Sequence, residues 1–341
     1  MNPFDCGLTA AAFWMPERLV DSAWIEHAPF AFVLVELTEP RLVVELGTHS
    51  GYSYMAFCQA IDRLGLSTRC FAVDTWRGDE HAGFYGEEIF RELSSYNDSK
   101  YPVFSSLLRT SFAEAVDQFP DGSIDVLHID GRHFYEDVKE DFFSWRKKLS
   151  DRSVVLFHDI TVYERGFGVY RFWEELRGSS PHFEFFHAHG LGILAYGSCV
   201  PAPVLRVMEL SAHPKEAAVL RSAYHRLGVS IAERKALFEL QARGSVPEQA
   251  LDRSRAIGAL ESSLPAHEQE IASLKAQLAE RDLAECNEVG ALETSLLARE
   301  QEIASLKAIL AERNDEFAEF HERTMQTLGV AAQQLARVAP L

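Results

Sequence analysis

The stretch of sequence that decides the fold is Val43-Val44-Glu45-Leu46-Gly47-Thr48-His49-Ser50-Gly51-Tyr52-Ser53. Its first half is a short apolar run that predicts a buried strand, and its second half is a glycine turn at the start of a helix. Such a turn presents free backbone N–H groups, and its glycines let a ligand approach the main chain. The stretch therefore predicts a loop that binds a nucleoside or an amino acid, with an ordinary strand-to-helix turn as the alternative.

The composition sets the class of protein. The 341 residues are 47% hydrophobic and carry 51 acidic against 33 basic side chains, a net charge of −18. That charge opposes binding to nucleic acid or to an anionic membrane. The apolar run 28–37 is too short to span a bilayer, and no secretory signal is recognisable at the N-terminus. The five cysteines have no CxxC spacing, which favours reduced thiols in a cytoplasmic protein and argues against a zinc site.

Strand and helix patterns alternate along the first 200 residues. A helix is expected over residues 15–37, with Pro16 in its first turn. Apolar runs that alternate with helical segments indicate a doubly wound, mostly parallel α/β sheet, and the short turn 188–192 indicates a closing antiparallel hairpin. We expect seven strands, at 42–46, 69–73, 103–108, 124–129, 153–157, 183–187 and 193–196. The intervening helices are expected at 52–64, 87–96, 112–119, 135–149 and 167–176.

The C-terminal part of the chain has a different pattern. Residues 201–255 read as a helical linker region that follows the domain formed by residues 1–200. A segment that begins at Ala259 recurs 32 residues later at Ala291. Leucine and isoleucine follow alternating spacings of four and three, except at one slot in each copy, which is filled by His267 or Arg299. This heptad pattern predicts a coiled coil over residues 256–328, followed by a tail over 329–341. The chain is therefore expected to form a homo-oligomer, although a single helix folded back on the domain is the alternative.

Ionisable and aromatic residues follow the predicted strands. In a doubly wound sheet, ligands bind beyond the carboxyl ends of the strands. Asp74 follows the second strand, where such folds place a carboxylate against a ribose, and Trp76 could stack on an adenine. Asp130, His158 and Asp159 follow two later strands. They could bind one divalent cation, since carboxylate oxygens and imidazole nitrogens suit Mg²⁺ or Mn²⁺.

Two histidines near these strand ends allow further interpretations. His133 could accept a proton from a substrate hydroxyl, because imidazole titrates near neutral pH. Capping of a strand by His158 and of a helix by His133 is the structural alternative. His128 and Asp130 form a His-x-Asp pattern that non-haem iron oxygenases also use, but those ligands normally lie on antiparallel barrels.

Four segments together carry a family resemblance: residues 43–53, 73–79, 127–136 and 155–159. They resemble class I S-adenosylmethionine-dependent methyltransferases, in particular the subgroup that contains macrocin-type sugar O-methyltransferases and cephalosporin hydroxylase-like proteins. The resemblance covers about residues 30–197. It implies the Rossmann-like methyltransferase fold and the cofactor S-adenosylmethionine.

The resemblance also implies roles for individual residues. Asp74 would hold the ribose, Asp130 and Asp159 would bind a metal, and His133 would be the catalytic base, with Asp130 placing the acceptor hydroxyl through that metal. His158 stands where macrocin-type relatives carry an acidic residue, which leaves the metal requirement open. The set of residues that would hold the methionine part or lie beside the adenine is Glu45, Gly47, Thr48, Gly51, Tyr52, Ser111 and Phe112.

The implied reaction is transfer of a methyl group to a sugar hydroxyl, on a nucleotide sugar, a surface glycan or a glycosylated metabolite. Loops 79–86 and 161–168 are candidates for a lid over the acceptor. The alternative is a non-catalytic scaffold that retains the fold and acts through its coiled coil. A nicotinamide-dependent dehydrogenase would need Gly-x-Gly-x-x-Gly after the first strand, and residues 47–51 do not supply that pattern.

Overall fold

The computed structural model describes residues 7–242. The coiled coil predicted for residues 256–328, the tail 329–341 and the end of the region 201–255 lie outside the described residues. The strands are β1 (Leu42–Leu46), β2 (Arg69–Asp74), β3 (Gly78–Asp79), β4 (Gly83–Phe84), β5 (Ser105–Arg109), β6 (Ile124–Ile129), β7 (Leu149–His158), β8 (His182–Phe185) and β9 (Leu191–Ala195). The helices are α1 (Ala28–Thr38), α2 (Tyr52–Leu64), α3 (Glu87–Lys100), α4 (Phe112–Ala115), α5 (Tyr135–Trp145), α6 (Val169–Arg177), α7 (Ala202–Glu209) and α8 (Pro214–Ala242).

Seven strands form one sheet in the order β5-β2-β1-β6-β7-β9-β8. The first five of these are parallel, and β9 pairs antiparallel with both β7 and β8. The order reverses at β1, from which the chain winds first to one edge of the sheet and later to the other. The predicted doubly wound sheet with its closing hairpin is confirmed. Strands β3 and β4 form a separate two-stranded ribbon.

Helices cover both faces of this sheet. Successive strand residues point to opposite faces, so Val43 packs in the core beneath α1 and α2, whereas Val44 packs in the core beneath α5 and α6. Helix α2 lies between two glycines with left-handed backbone, Gly51 before it and Gly65 after it. These caps place the N-terminus of α2 directly after the loop that follows β1.

The first helix begins later than the sequence predicted. The segment before Ala28 is irregular apart from two short 3₁₀ turns, and it is Pro29 rather than Pro16 that lies in the first turn of α1. The side chain of Gln59 on α2 explains the difference. Its amide donates to the carbonyl of Met15 and accepts from the N–H of Glu17, at 2.8 Å in both cases. These bonds use backbone groups that a helix would have paired internally.

The helices after residue 200 pack on the main core. Val207 on α7 and Leu220 and Tyr224 on α8 are buried in the same cluster as α1 and α2. The hydroxyl of Tyr224 donates to the carbonyl of Gly7 at 2.6 Å. Among residues 7–242, no helix combines the length and the apolar character that crossing a membrane requires.

Candidate functional site

The loop after β1 contains a position that admits only glycine. Gly47 has φ +86°, and a Cβ atom built there would lie 2.1 Å from the carbonyl oxygen of Asp130. Its N–H donates to the carbonyl of Val73 at 3.0 Å, and the N–H of Asp130 donates to the carbonyl of Leu46 at 2.8 Å. The loop therefore runs directly against the segment that follows β6, and the two strand ends form one wall.

Asp74, at the end of β2, holds this loop in place. Its Oδ2 atom accepts from the backbone N–H groups of Thr48 and His49, both at 2.9 Å, and its Oδ1 atom accepts from the N–H of Trp76 at 2.7 Å. A carboxylate has about four lone-pair positions, so these three bonds leave room for one more donor. Asp74 is thus both an anchor of the loop and an available acceptor at the sheet edge.

A cavity of about 250 Å³ opens at this edge of the sheet. Six residues that the sequence singled out line it: Gly47, Asp74, Ser111, Phe112, Asp130 and His133. Eight lining residues were missed as site residues: His49, Thr75, Gly78, Asp79, Ala82, Tyr85, Gly131 and Arg132. Four of these, Gly78, Asp79, Ala82 and Tyr85, belong to the ribbon β3–β4 and its flank. They lie within or beside the loop 79–86, which the sequence indicated as a candidate lid.

Five residues expected to hold the cofactor do not line this cavity. The Nε1 atom of Trp76 donates to the carbonyl of His49 at 2.9 Å and its ring packs on Phe90, so no ring face is available for an adenine. The hydroxyl of Tyr52 donates to the carbonyl of Ile25 at 3.0 Å. The backbone N–H of Thr48 donates to Asp74. A Cβ atom on Gly51 would lie 2.3 Å from Leu93, so this glycine admits helix α3 rather than a ligand.

Glu45 is the fifth of these residues. It is fully buried, and its Oε2 atom lies 2.7 Å from Nδ1 of His128. The same contact removes the iron-oxygenase alternative, because it directs His128 into the core. Among the described residues, the group of possible metal-binding side chains at this edge contains Asp130 but not His128.

Two aspartates and two histidines meet where β6 and β7 end. The Nε2 atom of His133 lies 2.9 Å from Oδ2 of Asp159 and 3.6 Å from Oδ1 of Asp130. The Nδ1 atom of His158 lies 3.3 Å from a carboxylate oxygen of each aspartate. Asp130, His133 and Asp159 offer one ligand atom each within 4.8 Å of one another. The predicted metal ligands and the predicted base thus lie in one cluster, as expected for strands that end at the same edge.

The charges in this cluster shift each other's pKa values. Burial alone would lower the pKa of His133, but hydrogen bonds to Asp130 and Asp159 outweigh it and raise the pKa to about 9. Burial likewise opposes the charged form of His158, yet the two carboxylates hold its pKa well above the ordinary value. The pKa values of both aspartates lie well below their usual range, because the histidine charges and hydrogen bonds outweigh burial. The cluster is therefore strongly ionic.

The turn between β8 and β9 supports this cluster from outside. The carbonyl of Ala188 accepts from Nε2 of His158 and from Nε2 of His27, both at 3.1 Å. His189 follows, and its Nδ1 atom lies 2.9 Å from Oδ1 of Asp159. In the sequence, His189 is visible only as part of a short turn, a pattern that carries no signal for a functional role.

The two candidate lid loops contact each other above His133. The Nε2 atom of His81 donates to the carbonyl of Arg165 at 3.0 Å, and Nη2 of Arg165 donates to the carbonyl of His81 at 2.8 Å. The ring of Phe167 stacks on the ring of His133, with centroids 4.6 Å apart. The ribbon β3–β4 and the loop 161–168 thus form a double cover over the ionic cluster.

Comparison with known proteins gives matches over this part of the chain. An uncharacterised protein, y4gI, of Sinorhizobium fredii is 54% identical over 190 residues, which cover 55% of this chain and 21% of the relative. This chain therefore spans about a fifth of the length of that curated relative.

Solved structures of methyltransferases are also similar. The O-methyltransferase TomG from Streptomyces achromogenes, solved in complex with SAM, has 19% identity and a TM-score of 0.38, covering 53% of this chain and 83% of TomG. The SAH-bound methyltransferase PaMTH1 of Podospora anserina has 13% identity and a TM-score of 0.38, covering 52% and 88%. Residues 44–160, which contain the glycine loop, Asp74 and both aspartates of the ionic cluster, match the family model described as a methyltransferase domain.

Proposed function

We propose that this chain transfers a methyl group from S-adenosylmethionine to a hydroxyl oxygen of a sugar, with Mg²⁺ or Mn²⁺ bound beside the acceptor. The observation that carries the proposal is that one cavity is lined both by Gly47 and Asp74 and by Asp130 and His133. The first pair suits the cofactor, and the second pair suits a hydroxyl that must lose its proton. The methyltransferase domain match spans all four residues.

The residues around the loop fit the cofactor. Because Gly47 has no side chain, the space between the loop and Asp130 is not filled by a Cβ atom. Asp74 has one lone-pair position left for a ribose hydroxyl. Phe112 lines the cavity beside Ser111, which caps helix α4 and so fixes the position of that ring. When bound, S-adenosylmethionine supplies a methyl group that its sulfonium already activates, so the protein must mainly orient the acceptor and remove one proton.

The ionic cluster fits a divalent cation and a base. Asp130 and Asp159 offer carboxylate oxygens, and His158 offers Nδ1 because its Nε2 atom donates to the carbonyl of Ala188. A cation held there would supply Lewis acidity toward a hydroxyl and would offset the negative charge that raises the pKa of His133. His133 would then accept the proton from the acceptor hydroxyl in the pH range where an imidazole base works.

Two considerations support a sugar as the acceptor. The four sequence segments resemble macrocin-type sugar O-methyltransferases, and the site offers carboxylates and imidazoles that suit the vicinal hydroxyls of a pyranose. The net charge of −18 disfavours a strongly anionic acceptor such as nucleic acid.

The experiment that tests the proposed function is isothermal titration of the full chain with S-adenosylmethionine and S-adenosylhomocysteine, with and without Mg²⁺ or Mn²⁺. We expect micromolar binding that is lost in Asp74→Ala and partly retained in Asp74→Asn, which keeps one acceptor oxygen for the loop. Absence of binding to both compounds would overturn the methyltransferase proposal. The non-catalytic scaffold that acts through its coiled coil would then be the favoured interpretation.

We also propose that the chain forms a homo-oligomer through residues 256–328. The support is the sequence repeat and its heptad spacing. Light scattering of the full chain and of a variant that ends at residue 255 tests this proposal. A full chain that is monomeric at micromolar concentration would overturn it.

A further inference from the structure

A second cavity, of about 450 Å³, is formed by the loop 161–168 and His189. Its walls include Thr161, Tyr163, Arg165, Phe167 and His189, and it shares no lining residue with the cavity at the glycine loop. We call it the Thr161–His189 groove. Nothing in the proposed function so far uses it.

Asp159 connects this groove to the ionic cluster. Its Oδ2 atom lies 2.9 Å from Nε2 of His133, and its Oδ1 atom lies 2.9 Å from Nδ1 of His189. One carboxylate therefore binds an imidazole of each cavity. Phe167 makes a second connection, because it lines the groove and stacks on the ring of His133. A molecule in the groove would lie next to the groups assigned to proton removal.

The turn that carries His189 is held in an unfavourable backbone conformation. Ala188, His189 and Gly190 have φ values of +44°, +68° and +84° in succession, and Asp159 has φ +63°. Non-glycine residues rarely adopt this region, and a cluster of such residues is typical of functional sites. The N–H of Thr161 donates to the carbonyl of His189 at 2.9 Å, which locks the turn against the groove wall.

This arrangement directs one imidazole nitrogen toward a ligand. The Nδ1 atom of His189 is bound to Asp159, whereas its Nε2 atom has no hydrogen-bond partner among residues 7–242. The side chain is 55% exposed and lines the groove. With Nδ1 held by a carboxylate, Nε2 is the ring nitrogen that is left to form a hydrogen bond with a hydroxyl of a ligand.

The other walls suit the ring of a neutral sugar. Tyr163 is 70% exposed and is supported from one side by Tyr170, with ring centroids 4.9 Å apart. Such an exposed ring offers an apolar surface for the C–H face of a pyranose. The guanidinium of Arg165 donates to the carbonyl of His81 and lies over Phe167, so it is held between the two loops. The lining contains one acid, Glu164, beside the one guanidinium, Arg165, so the groove has no excess of positive charge to attract a phosphate-bearing ligand.

From these contacts we propose that the Thr161–His189 groove is the acceptor subsite, that it binds a neutral hexopyranoside, and that Nε2 of His189 accepts a hydrogen bond from one of its hydroxyls. The proposal rests on the proposed function, whose acceptor it locates. It places the sugar ring in the groove and leaves the reacting hydroxyl at the edge of the cofactor cavity, beside Asp130 and His133.

The test is saturation-transfer difference NMR of the full chain with a panel of methyl hexopyranosides of glucose, mannose, galactose, rhamnose and fucose, and with UDP-glucose as the phosphate-bearing comparison. S-adenosylhomocysteine is titrated in parallel. His189→Asn keeps a donor at the position of Nδ1 and tolerates positive φ, but it removes Nε2. His189→Gln places a polar atom near the Nε2 position and is its matched control. Tyr163→Ala and Tyr163→Phe form the second matched pair.

We expect ring-proton signals from at least one glycoside in the wild-type protein. They should fall at least fivefold in His189→Asn and Tyr163→Ala but less than twofold in His189→Gln and Tyr163→Phe, with unchanged affinity for S-adenosylhomocysteine. The proposal is overturned if no glycoside gives signals, if His189→Asn and Tyr163→Ala bind like wild type, or if only UDP-glucose binds there. If the wild-type protein does not bind S-adenosylhomocysteine, the proposed function is refuted. The glycoside signals are a separate measurement, and they still decide whether the groove binds a sugar.

Discussion

The Oε2 atom of Glu45 lies 2.7 Å from the Nδ1 atom of His128, and neither side chain is exposed to solvent. Burial raises the pKa of Glu45, and the hydrogen bond from His128 opposes that rise. The two residues are 83 positions apart in the chain and come from adjacent parallel strands, β1 and β6. Glu45, which the family resemblance implies as a cofactor-binding residue, is thus part of the core.

Removing this acid should destabilise the fold more than it affects the cofactor. Glu45→Ala leaves the buried imidazole of His128 without its partner, which costs about 2–4 kcal/mol. Glu45→Gln keeps an acceptor for the Nδ1–H group and should lose less. Urea denaturation measures both losses. Below the unfolding transition, we expect affinity for S-adenosylhomocysteine within threefold of wild type; a folded Glu45→Ala protein without affinity would restore Glu45 as a ligand residue.

The sequence predicted the site where topology alone positions the side chains. Asp74, Asp130, His158 and Asp159 end or follow parallel strands, and parallel strands in one sheet end at the same edge, so their meeting follows from the order of elements. Glu45 precedes its strand end by one residue and so points into the layer of α1 and α2.

Other features depend on partners that are distant in the chain. The indole N–H of Trp76 donates to the carbonyl of His49, and its ring packs on Phe90. The side chain of Gln59 binds the backbone of residues 15 and 17 and so prevents a helix there. The position of His189 depends on the positive φ values of Ala188, His189 and Gly190. Of these three residues, only Gly190 is of a type that indicates positive φ from the sequence. Hydrophobic periodicity does not predict such contacts. Each depends on a single polar group and on two segments, distant in the chain, that meet in the fold.

Gly47 should tolerate no side chain. In Gly47→Ala the new Cβ would lie 2.1 Å from the carbonyl oxygen of Asp130, in addition to the cost of φ +86°. Gly65→Ala is the matched control, because Gly65 has φ +63° and no atom within 4 Å of the added carbon. The control should lose about 1 kcal/mol from its backbone conformation alone.

We expect Gly47→Ala to lose at least about 2 kcal/mol more than this control and to bind S-adenosylhomocysteine at least tenfold more weakly. Urea denaturation and calorimetry provide the two readouts. Equal losses in the two variants would show that the loop can move away from Asp130.

Asp141 on α5 should make stability depend on pH. Burial, together with the charges of Asp137 and Glu140, raises its pKa to about 7, whereas an unfolded aspartate titrates at about 3.9. Between these values the folded protein keeps a proton that the unfolded chain has released. The contribution of Asp141 is therefore most favourable below pH 4, declines as the pH rises and is lost above pH 7.

Asp141→Asn should remove this dependence and stabilise the protein by a few kcal/mol at pH 8 relative to wild type. Glu140→Gln removes one of the charges that raise the pKa and should give a smaller effect in the same direction. Free energies of unfolding measured from pH 5 to pH 9 test both. If wild type and Asp141→Asn have parallel pH profiles, Asp141 is ionised throughout that range.

The double cover should control how long the cofactor stays bound. His81 joins the ribbon β3–β4 to the loop 161–168 through its bond to the carbonyl of Arg165 and packs on Phe134 and Phe167, with ring centroids 4.3 Å away in both cases. The ribbon and its flank supply Gly78, Asp79, Ala82 and Tyr85 to the cavity at the glycine loop. Loosening the ribbon therefore exposes a ligand in that cavity to solvent.

His81→Ala should accordingly speed the release of S-adenosylhomocysteine. Loss of one hydrogen bond and its ring contacts is worth about 1.4 kcal/mol, which corresponds to roughly a tenfold faster dissociation measured by stopped-flow fluorescence. Glu80→Gln is the control, because it breaks only the half-exposed pair with Arg132 on the same ribbon and should change the rate less than twofold. If both variants release the ligand at the wild-type rate, the ribbon lies over the cavity without retaining its contents, and release is controlled by the glycine loop itself.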